Sequence, residues 1–181
     1  MLRAPEKGHI TFSLNAISVK FPSQTSDYGV LGVGILCTAS EWQLSSLEQF
    51  CTSSLPPVTT LEDLSILENR RNPPRWQDDV ENTLWVDFLR SFAALKNLYL
   101  SEKFVPRIAP ALQELVGGRT TEVLPILENI SLEGYQPSEP LHEGVEKFVA
   151  ARRLTSHPVA VSRWDVVSKQ APYHEWEIYH V

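Results

Sequence analysis

The sequence predicts an α/β fold in which short strands and helices alternate at a nearly constant spacing and stack as an irregular solenoid. The main observation is an apolar triplet, L-x-x-L-x-L or close to it, at residues 61–66, 95–100 and 127–132. Successive triplets begin 34 and then 32 residues apart, a period typical of repeat units that bury their apolar side chains by stacking. The spacing therefore predicts an irregular leucine-rich-repeat solenoid, with parallel strands on the concave face and helices on the convex face.

Partial triplets extend the repeat in both directions. Residues 30–35 read V-x-x-V-x-I and begin 31 residues before the first full triplet, and residues 159–161 read V-x-V after the last one. Near the N-terminus, alternating apolar residues over 10–14 and 17–21 indicate one or two strands. We therefore expect about five strand–helix units in one irregular leucine-rich-repeat-like domain over residues 1–164, with residues 165–181 as a C-terminal tail or cap.

Helical periodicity fills the intervals between the triplets. Apolar residues recur at spacings of three and four over residues 42–54, 79–93, 106–116 and 141–153. A doubly wound parallel sheet also alternates strands and helices, but its strands do not need the repeated triplet. Asn69 stands eight residues after Leu61, at the asparagine position of a leucine-rich repeat, whereas the other units lack this residue. The repeat is therefore irregular.

Composition and charge exclude several classes of function. The 181 residues carry 16 Lys and Arg against 22 Asp and Glu, a formal net charge of −6, whereas nucleic-acid binding and polybasic membrane attachment need clustered positive charge. No window is apolar enough for a transmembrane helix, and the first residues lack the apolar core of a signal peptide. We therefore expect a protein of the cytoplasm and/or nucleus, with Cys37 and Cys51 as reduced, partly buried thiols.

The sequence lacks the common motifs of catalysis and of cofactor or metal binding. It contains no G-x-S-x-G, P-loop or H-E-x-x-H pattern, so we expect no catalytic residues, no cofactor and no metal. Gly29, Gly32 and Gly34 lie in or beside a strand, which indicates close packing or a bulge rather than a phosphate-binding loop. The alternative is a small doubly wound enzyme that uses His142 or His157 in acid–base catalysis.

Strand alternation predicts a polar surface on the concave face. If Leu64 and Ile66 point into the core, the residues between them point outward, and the same rule applies to the following strands. In register, the outward residues form two ladders, Asp63/Asn97/Asn129 and Ser65/Tyr99/Ser131, which we expect to contact an extended protein partner. Arg163 in the last strand is a further candidate for this surface. Trp76, in an arginine-containing loop, is a separate candidate because Trp and Arg are enriched at interface hot spots.

Several strings of residues resemble a known protein family. They are WQLSSL at 42–47, SSLPP at 53–57, LKNLYL at 95–100, PRIAPALQELVGG at 106–118 and HPVAVSRW at 157–164. They resemble the basidiomycete F-box-like proteins with leucine-rich repeats, from residue 10 to residue 164. The resemblance implies repeats that hold a substrate of a cullin ubiquitin ligase, whose Skp-type adaptor docks on an N-terminal F-box. Because this chain begins within the repeats, the resemblance implies the recognition half without the docking half.

We therefore expect a non-enzymatic protein–protein interaction module that resembles the substrate-recognition repeats of an F-box-like protein. Its partner is a protein substrate, and a Skp-type adaptor binds only if an F-box is present outside this chain. Two alternatives stay open, an enzyme that uses His142 or His157 and a truncated remnant without activity. A closed pocket that contains a histidine favours the enzyme, whereas an open parallel sheet favours the module.

Overall fold

The chain has the α/β composition that the sequence predicts, with three consecutive strands followed by alternating helices and strands. A computed structural model describes residues 5–22, 30–39, 42–53, 58–76, 82–116 and 122–165. The strands are β1 (Lys7–Ser13), β2 (Ala16–Pro22), β3 (Val30–Leu36), β4 (Asp63–Glu68), β5 (Asn97–Leu100), β6 (Asn129–Glu133) and β7 (Ala160–Trp164). The helices are α1 (Gln43–Ser53), α2 (Asn82–Arg90), α3 (Val105–Glu114) and α4 (Glu143–Arg153). The expected tail or cap beyond residue 165 lies outside the described residues.

The seven strands form one mixed sheet in the order β3-β2-β1-β4-β5-β6-β7. Strand β1 pairs parallel with β4, and β4 to β7 pair parallel with one another, whereas β2 pairs antiparallel with both β1 and β3 in a meander. The expectation that residues 30–35 form a parallel-paired strand of the repeat is therefore wrong, since this segment forms the far edge strand β3 and pairs antiparallel with β2. A two-residue turn at Leu14 and Asn15 joins β1 to β2 as a hairpin, which leaves β1 to pair with β4.

The three full triplets lie on adjacent parallel strands, in register. Asp63 aligns with Asn97, Asn97 with Asn129, and Asn129 with Ala160. The next position along each strand is apolar, and Leu98 and its register neighbours on β4 and β6 are fully buried. The spacing of the triplets therefore predicts both the pairing and the buried side of these strands.

A layer of helices covers the apolar side of the sheet. Consecutive helices contact each other, α1 with α2, α2 with α3 and α3 with α4. Right-handed crossovers between sequential parallel strands place the connecting helices on the same side of a sheet. The helices lie within the predicted spans, except that α3 begins one residue early and α2 is shorter than the span 79–93 predicts, ending at Arg90. Residues 77–81 lie outside the described residues.

One backbone arrangement recurs at the starts of β4, β5 and β6. The carbonyl oxygen before one strand accepts two N–H groups from the chain that enters the next strand, at distances of 2.8 to 3.0 Å. The acceptors are Glu6, Glu62 and Lys96, and their donors are Glu62 and Asp63, Lys96 and Asn97, and Glu128 and Asn129, respectively. Units that enter the sheet through the same hydrogen bonds are similar in conformation as well as in sequence.

The structure corrects the expectation for Trp76. Its side chain is only 8% exposed, and its ring packs edge-on against Phe12, with centroids 4.9 Å apart, and against Phe104 at 5.4 Å. The indole Nε1 donates to Oε1 of the buried Gln43 at 2.6 Å, and the guanidinium of Arg107 lies 5.0 Å from the ring. Burying the large indole ring against other aromatic rings is more favourable than exposing it to solvent. Trp76 is therefore a core residue and not a surface contact.

Two residues of α4 fix the last helix to the rest of the domain. Arg152 is fully buried and donates to the carbonyl oxygens of Leu124 at 3.2 Å and Leu127 at 3.0 Å. Its burial lowers the pKa of the guanidinium from the ordinary value, and the backbone carbonyls replace its hydration. At the other end of α4, a Cβ on Gly144 would lie 2.2 Å from the carbonyl oxygen of Ala109, so α3 and α4 approach closely there.

No helix within the described ranges has both the length and the apolar character needed to cross a membrane.

Candidate functional site

The polar side of the sheet, opposite the helix layer, carries the residues that alternate with the core. We call this side the open face. Strand register arranges it in two rows of side chains that run across the parallel strands. The first row is Lys7, Asp63, Asn97, Asn129 and Ala160, and the second is His9, Ser65, Tyr99, Ser131 and Ser162. Both predicted ladders are therefore present, each extended by β1 on one side and by β7 on the other.

Two hydrogen bonds and one ion pair connect the side chains of the first row across four strands. Nδ2 of Asn129 donates to Oδ1 of Asn97 at 2.9 Å, and Nδ2 of Asn97 donates to Oδ1 of Asp63 at 2.7 Å. The other carboxylate oxygen of Asp63 lies 3.5 Å from Nζ of Lys7. Every amide therefore points in the same direction, toward the carboxylate. The row ends at the exposed methyl group of Ala160.

The second row is less accessible than the alternation predicts. Ser65 and Ser131 are buried, at 5% and 7% exposure, and stand on either side of the half-buried Tyr99 in register. Ser131 also shares a hydrogen bond of 2.9 Å with the hydroxyl of Ser162. Both serines are thus on the expected side of the sheet but are not exposed. Alternation fixes the side on which a residue lies, whereas larger neighbours decide how much of it reaches solvent.

Sequence reasoning missed the contribution of β1 to the open face. His9 aligns with Ser65 on one side and with Lys20 of β2 on the other. Burial, followed by the positive charges of Lys7 and Lys20, lowers the pKa of His9, while Asp63 acts in the opposite direction. The signal was present, because His9 alternates with the core residue Ile10, but it required knowing that β1 pairs with β4.

The structure corrects the placement of Arg163. It aligns with Leu132 and therefore lies on the side of the sheet that carries the leucines, not with the two rows. Its Nε donates to Oδ1 of Asp165 at 3.0 Å. Trp164 has the open-face parity instead, and its ring packs against that of Tyr99 with centroids 5.5 Å apart. The prediction for Arg163 fails by one residue, which in a strand means the opposite face.

A polar cluster lies near the C-terminal ends of the parallel strands. Glu133 accepts a hydrogen bond from the guanidinium of Arg70, and the side chain of Trp164 is next to it in register. Within the part of the chain that the structure describes, the hydroxyl of Ser101 and Nε1 of Trp164 are buried without a hydrogen-bond partner. The open face therefore ends in paired charges and two unsatisfied polar groups.

The residues of the alternative enzyme hypothesis do not line the cleft between α2 and α3. His142 is exposed and caps α4, where its Nδ1 accepts from the N–H of Gly144 at 3.3 Å, and His157 is also exposed. The cleft, of about 520 Å³, is lined among others by Trp85, Lys103 and Arg107 and by four prolines, and by no histidine. Neither histidine is therefore placed for acid–base catalysis in this cleft.

The cysteines and other metal-ligating residues form no centre among the described residues. Cys37 and Cys51 are both buried free thiols, and burial, helped by the charge of Glu48, raises the pKa of Cys51 to about 12. In the described ranges, no group of three His, Cys, Asp or Glu side chains comes together as a metal site requires.

In comparisons with known proteins, no family model matches the chain, and no curated protein and no solved structure matches it.

Proposed function

We propose that the chain is a non-enzymatic protein–protein interaction module that binds a protein partner on the open face. The observation that carries this proposal is the row Asp63–Asn97–Asn129, joined by side-chain hydrogen bonds and extended by the exposed Lys7 through an ion pair. The side chains of Asp63, Asn97 and Asn129 are half-buried and held by one another, so they lose little conformational freedom when a partner binds. A preorganised polar surface of this kind favours recognition rather than stability of the fold.

The proposed architecture is an irregular leucine-rich-repeat solenoid closed at its N-terminal side by the β1–β3 meander. Three features support it. The strands β4 to β7 follow one another in chain order, their register positions are separated by 34, 32 and 31 residues, and the same two-donor hydrogen bond recurs at the starts of β4, β5 and β6. In such an array each unit contacts only its neighbours, and the strands together form one extended surface.

The chemistry of the open face suits an extended polypeptide. Asn97 and Asn129 each carry both a donor and an acceptor, and the charge of Asp63 is balanced by Lys7. The surface is therefore nearly neutral and rich in amide groups, which can hydrogen-bond to the backbone amides of an extended partner. Tyr99, half-buried in the second row, adds an aromatic ring against which the buried Trp164 packs, and tyrosine is a common anchor in interfaces.

The resemblance to F-box-like proteins extends the proposal. In a longer chain that carries an F-box, the open face would select the substrate of a cullin ubiquitin ligase in the cytoplasm and/or nucleus. The Skp-type adaptor would then bind the F-box and not residues 1–181. Co-purification of the adaptor with an F-box-containing chain, but not with residues 1–181, is the expected result. Adaptor binding to residues 1–181 alone would contradict this division.

A matched pair of arginine substitutions tests the binding surface. Ala160→Arg places a long side chain at the end of the first row, and Ala150→Arg places the same side chain on the exposed side of α4. Both alanines are exposed, so each variant gains one charge with little expected change in folding. We expect proteins that are captured from a host lysate by the wild type and by Ala150→Arg to be lost by Ala160→Arg.

Two results would contradict the proposal. One is capture of the same proteins by Ala160→Arg at the wild-type level, which would show that partners do not contact the first row. The other is equal loss in both variants, which would show that added positive charge, rather than the face, decides capture. Urea unfolding of all three proteins confirms that the two variants are folded.

A further inference from the structure

The edge strand β3 is an exposed apolar edge of the sheet. All seven of its residues pair with β2, and no described strand lies on its other side. Its sequence, VLGVGIL, has neither a charged residue nor a proline. Three of the six large apolar side chains that are exposed in the described part of the chain belong to it, Val30 at 42%, Leu31 at 52% and Leu36 at 80%.

Natural proteins usually protect such an edge. Charged side chains, proline, bulges or a covering element prevent an edge strand from pairing with another chain. The opposite edge strand follows this rule, because β7 is short and carries Ser162 and Arg163 exposed. Strand β3, unlike β7, has no charged residue among its seven residues, so its free edge remains available to pair with another strand.

The sequence of β3 is self-complementary about its centre. An antiparallel pair of identical strands centred on Val33 places Leu31 opposite Ile35 of the second copy, and Gly32 opposite Gly34. It also places Val30 opposite Leu36, so each apolar side chain pairs with an apolar side chain and each glycine pairs with a glycine. Leu31, Val33 and Ile35 align with buried residues of β2, so the pair would continue the apolar side of the sheet across the junction.

Neither steric space nor backbone conformation within one chain requires glycine at the two glycine positions of β3. A Cβ on Gly32 or on Gly34 would meet no atom within 4 Å, and neither residue has a positive φ. Glycine weakens a strand and often marks a close approach of another backbone. In the antiparallel pair the two glycines face each other on the open side of the sheet, so the centre of the junction carries no side chains on that side, between the Val30–Leu36 pairs at its two ends.

We propose that β3 is the pairing edge of a homodimer, in which two copies join antiparallel about a two-fold axis through Val33. An isologous contact of this kind closes on itself, so each pair is complete and the outer edges are the two copies of β7. The two open faces then form one continuous surface. This inference does not depend on what the open face binds.

The test is sedimentation of the whole chain over a range of concentrations. The wild type is expected to dimerise. Leu36→Lys, or Val30→Glu, replaces an exposed apolar side chain and disturbs two symmetry-related pairs, which should raise the dimer dissociation constant about 2- to 30-fold. Leu154→Lys makes the same kind of change at a side chain that is 90% exposed in the turn after α4, and it should leave the dissociation constant unchanged.

Mixing the two variants tests the register itself. In a dimer of Leu36→Lys with Val30→Glu, the lysine and the glutamate stand opposite each other, so the mixture should dimerise more tightly than either variant alone. A wild type that stays monomeric at the highest attainable concentration would overturn the proposal. So would a dimer that Leu36→Lys and Val30→Glu leave intact, or one that the mixture fails to restore.

Discussion

The two faces of the sheet are built from alternate residues of the same strands, yet they depend on different interactions. On the side covered by helices, Leu98 and its neighbours are fully buried in one apolar core. On the open face, one residue away, Asn97 and Asn129 are half-buried and bond mainly to each other and to Asp63. The difference indicates that the stability of the fold depends mainly on the covered side of the sheet.

The largest expected effect comes from the covered side. Leu98→Ala should lower the free energy of unfolding by about 2–5 kcal/mol, because it leaves a cavity in a fully buried site. Asn129→Ala, the matched change on the open face, removes one half-buried hydrogen bond and should cost about 0.5–1.5 kcal/mol. Urea unfolding measures both. Equal, large losses in the two variants would show that the two faces do not differ in the way proposed.

A second pair of variants tests how closely the helix layer packs. Gly144→Ala adds a methyl group against the carbonyl oxygen of Ala109 and should cost about 1–3 kcal/mol through overpacking. Gly34→Ala adds the same group where no atom lies within 4 Å, and it should be neutral or slightly stabilising. Thermal unfolding at a protein concentration where the chain is monomeric separates the two. Tolerance of Gly144→Ala would mean that α3 and α4 can move apart freely.

The smallest expected effect is the pH dependence that His9 adds. Its pKa is lowered in the folded protein, so below the ordinary value of about 6.5 the unfolded chain binds the proton more readily. The contribution of His9 to stability is therefore present at neutral pH and is lost as the pH falls from there toward the folded pKa. His9→Gln should flatten the stability curve on the acidic side. An unchanged curve in His9→Gln would contradict this assignment.

Sequence patterns predict most of the parallel part of the fold. The triplets fix the order and register of β4, β5 and β6, because apolar positions that must share one core can only be stacked in one way. The same patterns predict the polar rows on the open face. They do not predict the strand pairing of residues 30–35, because the apolar pattern of a strand is the same whether its neighbour is parallel or antiparallel.

Other features of the site depend on distant contacts and leave no local signal. The burial of Trp76 follows from its contact with Phe12 and Gln43, which are far away in the sequence. The low exposure of Ser65 and Ser131 follows from the larger residues beside them in neighbouring strands. The position of His9 beside Ser65 depends on the pairing of β1 with β4, which a hairpin early in the chain decides.

The most direct test of the open face as the binding surface is the rate of thiol labelling in a captured complex. Ala160→Cys and Ala150→Cys each add one exposed thiol, and the natural cysteines are buried. We predict that the bound partner slows labelling at position 160 and leaves the rate at position 150 unchanged. Slower labelling at position 150, with no change at position 160, would contradict the account.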